Sequence, residues 1–212
     1  MSQSTLTFEQ ALSRGTMLLN NANDRIIVGI VGKPGAGKSR LSTYLMENLP
    51  EESVAFVPMD GYHLSNKVLD KLDRRSRKGA PDTFDAHGYA ALLERIATST
   101  DDIYFPIFHR EIEESIAAEG VVTAKTKLVF TEGNYLLHNK DGWEKVAPLL
   151  TESWYVQVDD VLRLERLVKR HNFYGKDPKA AHDWAHGTYE NNARLVERAK
   201  EIANYLVING DK

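Results

Sequence analysis

The sequence predicts an α/β fold in which helices cover a mainly parallel sheet. Three observations support this prediction. The segment 26–45 has the pattern of a strand, a glycine-rich loop and a helix. Short apolar strand candidates recur along the chain with helical stretches between some of them, which is typical of parallel sheets. No repeat, low-complexity tract or linker divides the sequence, so its 212 residues are expected to form one domain, 1–212.

The strand candidates are short, and the first is β-branched without the alternation of a half-buried strand, so it should be buried on both faces. They are Ile26–Val31, Val54–Met59, Leu128–Thr131, Trp154–Val158 and Tyr205–Ile208. Apolar residues at helical spacing predict helices before and between these strands. The helical stretches are Thr7–Leu19, the segment around Leu41 to Met46, Tyr89–Ala97 and Val161–His171.

Two segments fall outside this alternation. Residues 1–24 are expected to be an N-terminal helical extension that packs on the sheet. The segment Asn66–Pro81 is polar and basic and is interrupted by Gly79 and Pro81, so we expect it to be flexible or to face a ligand.

The composition is ordinary for a globular protein, with 42% hydrophobic residues. A net charge of −3 argues against a broad nucleic-acid surface. The sequence has no cysteine, and its N-terminus lacks the basic and apolar regions of a signal peptide, so the cytoplasm is the expected compartment. No apolar run approaches the ~20 residues of a membrane span, so the membrane is not an expected partner.

The glycine-rich loop follows the strand Ile26–Val31, and its sequence GKPGAGKS fits G-x-x-x-x-G-K-[ST]. Glycines let backbone N–H groups point into one concavity, and the N-terminus of the next helix adds positive charge, so the loop should hold phosphate. We expect Lys38 to bridge the β- and γ-phosphates of ATP and Ser39 to be a ligand of Mg²⁺. The candidate nucleotide-binding residues are Gly32, Lys33, Pro34, Gly35, Ala36, Gly37, Lys38, Ser39 and Arg40.

Two carboxylates follow apolar strands: Asp60 comes after Val54–Met59, and Glu132 comes after Leu128–Thr131. Open α/β sheets bind ligands at the carboxyl ends of their strands, so both should face the phosphate loop. Such a pair suits a general base for a substrate hydroxyl together with Mg²⁺ coordination, directly or through water. The alternative for Asp60 is a turn residue, because an Asp-Gly pair commonly forms turns.

Six motifs between Ile26 and about Leu195 give a specific resemblance: GKPGAGKS, MDGYHL, KGAPDTFD, FPIFHR, TEGNYLL and RLERLVKRH. In order and approximate spacing they resemble the P-loop kinase family that includes uridine kinase, pantothenate kinase and phosphoribulokinase. They look most like a bacterial branch often labelled pantothenate-kinase-like or fructose-transport-system kinase. The resemblance implies a three-layer α/β/α P-loop NTPase fold with a five-stranded, mainly parallel sheet and a helical lid. It also implies that Asp60 is the base and Glu132 a second carboxylate near Mg²⁺.

The resemblance further implies a substrate-binding insertion at about 61–126. Many relatives have an aspartate or serine before the basic residue of the Pro-x-aromatic motif and a proline shortly after it. Here His109 precedes Arg110 and glutamates follow, so the acceptor pocket is expected to differ. Phe108 could line that pocket or belong to the core, and Asp85 is expected to be a helix N-cap rather than a catalytic group. The candidate substrate-binding residues are Asp60, Tyr62, His63, Lys78, Phe108, Arg110 and Glu132.

The stretch Val161–His171 carries several basic residues, of which Arg166 and Arg170 are four apart and so share a helix face. Such a face could close over ATP as a lid at about 160–180 and neutralise the transferred phosphoryl group. The alternative is a solvated face paired with Glu165 and Asp159. Resemblance to the lid helix of the family favours the lid. The candidate catalytic residues are Asp60, Lys38, Arg166 and Arg170.

The function expected from these motifs is an ATP-dependent kinase that uses Mg²⁺ and a small-molecule hydroxyl acceptor such as pantothenate, a nucleoside or a sugar. Alternatives are a P-loop NTP hydrolase or GTPase, a regulatory nucleotide-binding protein, and an idle nucleotide-binding module. The segment Asn139–Gly142 resembles the guanine-reading Asn-Lys-x-Asp but lacks its intervening residue, which weakens the GTPase reading. Relatives commonly dimerise, so a homodimer is among the expected partners.

Overall fold

The computed structural model describes the backbone of residues 4–173 and 188–210, and the side chains of residues 4–169 and 193–210. Strands and helices alternate over most of this part of the chain. The strands are β1 Ser4–Leu6, β2 Ile26–Val31, β3 Val54–Pro58, β4 Ile103–His109, β5 Glu114–Val122, β6 Leu128–Gly133, β7 Glu152–Gln157 and β8 Tyr205–Ile208. The helices are α1 Phe8–Asn20, α2 Lys38–Asn48, α3 Asn66–Lys71, α4 Ala86–Thr98, α5 Asp160–Phe173, α6 Thr188–Glu197 and α7 Ala199–Ile202.

A parallel sheet forms the centre of the fold. Within the described residues it has six strands in the order β1-β8-β7-β2-β6-β3. The mainly parallel α/β prediction is confirmed, whereas the predicted strand number of five is too low. The sixth strand is β1, which pairs in parallel with β8 so that Ser4 lies opposite Tyr205. A three-residue strand is too short to produce a sequence pattern, so the N-terminal extension was expected to be helical only.

Helices pack on both faces of this sheet and produce three layers. Successive residues of β2 point to opposite faces, so Ile27 belongs to one apolar cluster and Val28 to the other. Ile27 packs in the cluster that contains Leu93 of α4, and Val28 packs in the cluster that contains Leu41 of α2. Burial on both faces explains why the β2 sequence does not alternate.

A second, two-stranded sheet lies within the region that was expected to hold the substrate-binding insertion. Strands β4 and β5 pair antiparallel, and their register shifts between Phe105 and Ile107. Ala118, in β5 at this irregularity, has a left-handed φ of 58°. This hairpin was not predicted, because the polar and small residues of β5 lack an apolar strand pattern.

Asp85 caps α4: its side chain accepts a hydrogen bond of 2.8 Å from the backbone N–H of Gly88. The predicted N-cap role is therefore confirmed. The segment 66–81 contains α3 and a short 3₁₀ turn, Arg75–Arg77, and its Gly79 reaches the cleft described below. In the part of the chain that is described, no helix combines the length and apolar character needed to cross a membrane.

Candidate active site

The glycine-rich loop joins β2 to α2, as predicted, and close contacts explain two of its glycines. Gly35 and Gly37 have left-handed φ values of 83° and 92°. A Cβ atom on Gly37 would lie 2.0 Å from Nδ2 of Asn209, and one on Gly35 would lie 2.8 Å from the carbonyl oxygen of Arg163. Both positions therefore exclude side chains through conformation and through space.

Asn209 holds the outer side of this loop. Its side chain is only 3% exposed, and Nδ2 donates a hydrogen bond of 2.9 Å to the carbonyl oxygen of Ala36. Arg40 donates to Oδ1 of the same amide at 3.0 Å, and its guanidinium lies over the ring of Phe8 at 5.6 Å. The structure places Arg40 beside Asn209 and α1, and Arg40 does not line the cleft described below, so its role in nucleotide binding stays a prediction.

Lys38 lies inside the loop and is 7% exposed. Its ammonium donates hydrogen bonds to the carbonyl oxygen of Gly32 at 2.9 Å and to Oδ1 of Asn134 at 2.8 Å. Asn134 is not among the predicted site residues, although it belongs to the motif TEGNYLL and follows the strand that carries Glu132. Position after a strand end was the signal that could have identified it.

The side chains of Ser39 and Glu132 are in contact within the cleft. The Ser39 hydroxyl donates a hydrogen bond of 3.2 Å to Oε1 of Glu132. Burial raises the pKa of the Glu132 carboxyl above its ordinary value, and the nearby Lys38 ammonium opposes this effect. Two adjacent oxygen donors at the edge of a phosphate loop fit Mg²⁺, which uses few protein ligands and keeps substrate oxygens and waters.

Asp60 lies beside Glu132 because the strands that precede them are paired. Pro58 of β3 is opposite Glu132 of β6, and Asp60 follows in the 3₁₀ turn Met59–Tyr62. A Cβ atom on Gly61 would lie 2.0 Å from the carbonyl oxygen of Pro106. The glycine after Asp60 thus allows β4 to pack directly on this turn.

Arg110 directly follows β4, and the packing of β4 on the turn brings its side chain into contact with Asp60. The guanidinium donates to Oδ2 of Asp60 at 2.8 Å, and the two side chains are 39% and 33% exposed. Ion pairs with this much solvent contact contribute about 0–1 kcal/mol to stability. This pair therefore adds little to the stability of the fold.

An aromatic stack lies next to Asp60, and two of its rings, those of His63 and Phe84, form part of the cleft wall. The His63 ring lies between Phe84, with centroids 4.0 Å apart, and Phe108, with centroids 4.5 Å apart. Nδ1 of His63 is 2.8 Å from the carbonyl oxygen of Asp60, so Nδ1 carries the proton, and burial lowers the pKa of the ring. His63 is accordingly neutral at pH 7, with Nε2 as its hydrogen-bond acceptor.

Two other candidate substrate-binding residues from this region, Lys78 and Tyr62, do not line the cleft. The Lys78 ammonium is 5.0 Å from the ring centroid of Phe108 and donates to Oδ1 of Asn66 at 2.7 Å, and burial lowers its pKa. Tyr62 packs edge-on against Tyr89 with centroids 5.4 Å apart, and burial raises the pKa of its hydroxyl to about 12.

The unexpected residue His109 turns away from the cleft. Its two ring nitrogens lie 2.7 Å from Glu111 and 2.6 Å from Glu119, and these hydrogen bonds raise the pKa of the ring. The structure thus explains where the side chain goes without giving it a place in the acceptor pocket.

The basic helix α5 contributes two different arginines. Arg166 lines the cleft, and its Nη1 would lie 3.6 Å from a Cβ atom on Gly37. Arg163 is 1% exposed, pairs with Asp160 at 2.7 Å and reaches the carbonyl oxygen of Pro34 at 3.4 Å. It is therefore a support of the loop. The side chain of Arg170 lies outside the described residues, as do residues 174–180 of the expected lid.

Most of the predicted site residues line one cleft of about 260 Å³. Lys33 is not part of it, because its ammonium pairs with Asp160 at 3.2 Å and Glu197 at 3.1 Å on the other side of the loop. The lining residues are Pro34, Gly35, Gly37, Lys38, Ser39, Asp60, His63, Gly79, Phe84, Arg110, Glu132, Gly133, Asn134, Arg166 and Leu167.

Comparisons with known proteins agree with this geometry, although no protein-family model matches the chain. A provisionally named uridine kinase of Schizosaccharomyces pombe is 32% identical over 174 residues, which are 78% of this chain and 74% of that protein. The crystal structure of a provisionally named fructose transport system kinase from Silicibacter sp. TM1040 superposes with a TM-score of 0.80 at 32% identity, covering 92% of this chain and 97% of that one.

A third comparison concerns the fold alone. The crystal structure of YFH7 from Saccharomyces cerevisiae, provisionally described as a P-loop kinase, superposes with a TM-score of 0.80 at 17% identity, covering 98% of this chain and 100% of that one. The motifs, the parallel sheet and the two relatives above 30% identity lead to one conclusion. The chain belongs to the family of P-loop kinases that includes uridine kinase, pantothenate kinase and phosphoribulokinase.

Proposed function

We propose that this protein is an ATP-dependent kinase that transfers the γ-phosphate to a hydroxyl group of a small metabolite. The observation that carries the proposal is the position of Asp60 and Glu132. Both residues lie at the carboxyl ends of the paired strands β3 and β6, and their carboxylates line the cleft. Lys38 and Ser39 line the same cleft from the side of the loop. This arrangement supplies a base, a metal ligand and a phosphate-binding cation within one cleft.

The loop and Lys38 bind the triphosphate. The start of α2 lines the cleft through Gly37, Lys38 and Ser39, and the N–H groups and dipole of a helix N-terminus favour anionic oxygens. The Lys38 ammonium now donates to Gly32 and Asn134, and phosphate oxygens would replace these neutral acceptors with charged ones. Ser39 and Glu132 would hold Mg²⁺, which when bound neutralises charge on the β- and γ-phosphates.

Asp60 acts as the general base. Its carboxylate takes the proton of the acceptor hydroxyl while the acceptor oxygen forms a bond to the γ-phosphorus. The bond between that phosphorus and the bridging oxygen breaks, and ADP leaves with the electron pair. Arg166 lies beside the loop, where its charge can stabilise the transferred group, and we assign Arg170 the same lid function.

In this proposal, two regions outside the central sheet form the acceptor side of the cleft and the lid. Residues at about 61–126, which include the β4–β5 hairpin, would form the acceptor side of the cleft. Residues at about 160–180 would form the lid, of which α5 is the described part. His63, Gly79 and Arg110 from the first region line the cleft and support this assignment.

The test is transfer of label from γ-labelled ATP by the purified full chain. Pantothenate, nucleosides, sugars and hydroxy acids would be supplied one at a time, with Mg²⁺ present. A kinase transfers label to one of these acceptors and releases little inorganic phosphate without it. Phosphate release that no acceptor changes would instead indicate an NTP hydrolase.

A further inference from the structure

We propose that the acceptor is a small hydroxylated anion, whose carboxylate or phosphate group binds the guanidinium of Arg110, rather than a neutral nucleoside. This inference rests on the kinase function proposed above and names the class of its acceptor. It is carried by the position of Arg110, by its pairing with Asp60, and by the absence of an open aromatic face on the described cleft wall.

The cations of the cleft divide between two sides. Lys38 and Arg166 adjoin the phosphate loop, where the triphosphate requires them. Arg110 comes from the end of β4, outside the central sheet, and reaches the cleft next to Asp60. A guanidinium in this position offers paired N–H donors to a carboxylate or a phosphate group of the acceptor.

The pairing with Asp60 makes Arg110 sensitive to such an anion. Oδ2 of Asp60 accepts from Arg110 at 2.8 Å, and both side chains are partly exposed. When the Asp60 carboxylate takes up a proton in the reaction, it loses the charge that holds Arg110. An anionic group on the acceptor would then pair with the guanidinium in place of the lost charge, which a neutral acceptor cannot do.

The aromatic residues of the wall do not favour a nucleobase. Both faces of the His63 ring are covered by Phe84 and Phe108. Phe84 is 7% exposed and also contacts the edges of Tyr135 and Trp143. Among the described lining residues, no ring therefore offers an open face on which a base could stack. His63 Nε2 is an acceptor, which suits a ligand with several hydroxyl groups.

Matched pairs of acceptors that differ in one charged group test the proposal. D-glycerate is compared with glycerol, pantothenate with pantothenol, and ribose 5-phosphate with ribose, with uridine as the nucleoside. We expect kcat/KM to be about tenfold or more higher for the charged member of the productive pair. The glycerate and pantothenate pairs report on a carboxylate, and the ribose pair reports on a phosphate.

Variants of the hairpin connect this preference to one side chain. Arg110→Gln should bring the ratio of kcat/KM within the productive pair to about one, and Arg110→Lys should keep part of it. The matched control is His109→Gln, because His109 is the adjacent residue and its ring pairs with Glu111 and Glu119. The control should keep the full ratio.

Equal or better use of the neutral member, or an unchanged ratio in Arg110→Gln, would overturn the inference and leave the kinase function intact. If no pair gives transfer, the same pairs are titrated calorimetrically into the complex with Mg²⁺ and a non-hydrolysable ATP analogue. Arg110-dependent binding of charged members alone would then support the anion site while the kinase function fails. Binding without preference, or no binding, would overturn the inference.

Discussion

The Ser39 hydroxyl donates a hydrogen bond of 3.2 Å to Glu132, so the phosphate loop and the end of β6 are joined at the position proposed for Mg²⁺. The same carboxyl is buried enough that its pKa is raised despite the Lys38 ammonium nearby. Glu132 is therefore held where its charge costs stability and where a divalent cation would compensate for it.

Glu132→Gln should raise the thermal midpoint of the ligand-free protein at pH 7–8. The native state favours the protonated form of a carboxyl whose pKa is raised, so the parent loses stability as pH rises through that pKa, and the variant does not. The advantage should shrink as pH falls toward the ordinary range of a glutamic acid. Differential scanning calorimetry across pH measures it, with the exposed Glu94→Gln as control. A thermal midpoint of Glu132→Gln at or below that of the parent at pH 8 would contradict this prediction. The same change should weaken Mg²⁺-dependent ATP use.

Lys38→Ala should weaken ATP binding by about tenfold or more and abolish transfer, because this ammonium is the cation inside the loop. Calorimetry with ATP and Mg²⁺ measures the affinity. Lys127→Ala removes the same charge from an exposed position before β6 and serves as control. Unchanged affinity together with normal turnover in Lys38→Ala would show that the loop does not bind the triphosphate as proposed.

Asp60→Asn should retain ATP binding while transfer falls by about 10²–10⁴-fold, the range of general-base catalysis. Asparagine keeps the size of the side chain but cannot take up the proton. Single-turnover transfer from labelled ATP, measured beside a binding isotherm, separates chemistry from affinity. The exposed Asp101→Asn is the control. Near-normal transfer would leave Asp60 as a turn residue, and loss of ATP binding would indicate metal coordination or folding instead.

Arg166→Ala should mainly affect catalysis, whereas Arg163→Ala should mainly affect stability and ATP binding. Arg166 lines the cleft, so its loss should lower kcat by about 10-fold or more with a smaller effect on ATP affinity. Arg163 is buried against the loop carbonyl of Pro34, so its loss should lower the thermal midpoint and weaken ATP binding. Turnover equal to the parent in Arg166→Ala would remove this residue from the proposed mechanism.

The sequence predicted the elements that carry strong local patterns. The strand Tyr205–Ile208 has the predicted bounds, and the strand predicted at Val54–Met59 ends one residue earlier, at Pro58. The glycine-rich loop lies between β2 and α2 as expected, because its motif and its strand-to-helix position are both local features. Parallel strands then determine which edge carries Asp60 and Glu132, so their proximity followed from topology.

Contacts between distant segments could not be predicted in this way. Asn209 meets Ala36 across 173 residues, and no spacing rule connects them. Arg163 and Arg166 lie on one helix with similar composition around them, yet packing against the loop buries the first and leaves the second at the cleft. His109 is turned outward by Glu111 and Glu119, of which the second is ten residues away on β5.

The hydrogen bond between Asn209 and Ala36 also has a consequence for how the protein is made. The loop is near the beginning of the sequence, but β2 lies between β6 and β7, and the loop is held from outside by a residue that follows β8. Pairing over such separations is slow, because long segments of chain must be ordered first. During translation, the hydrogen bond between Asn209 and the loop can form only after residues 205–209 have been synthesised, so a nascent chain that stops short of them lacks this support of the loop.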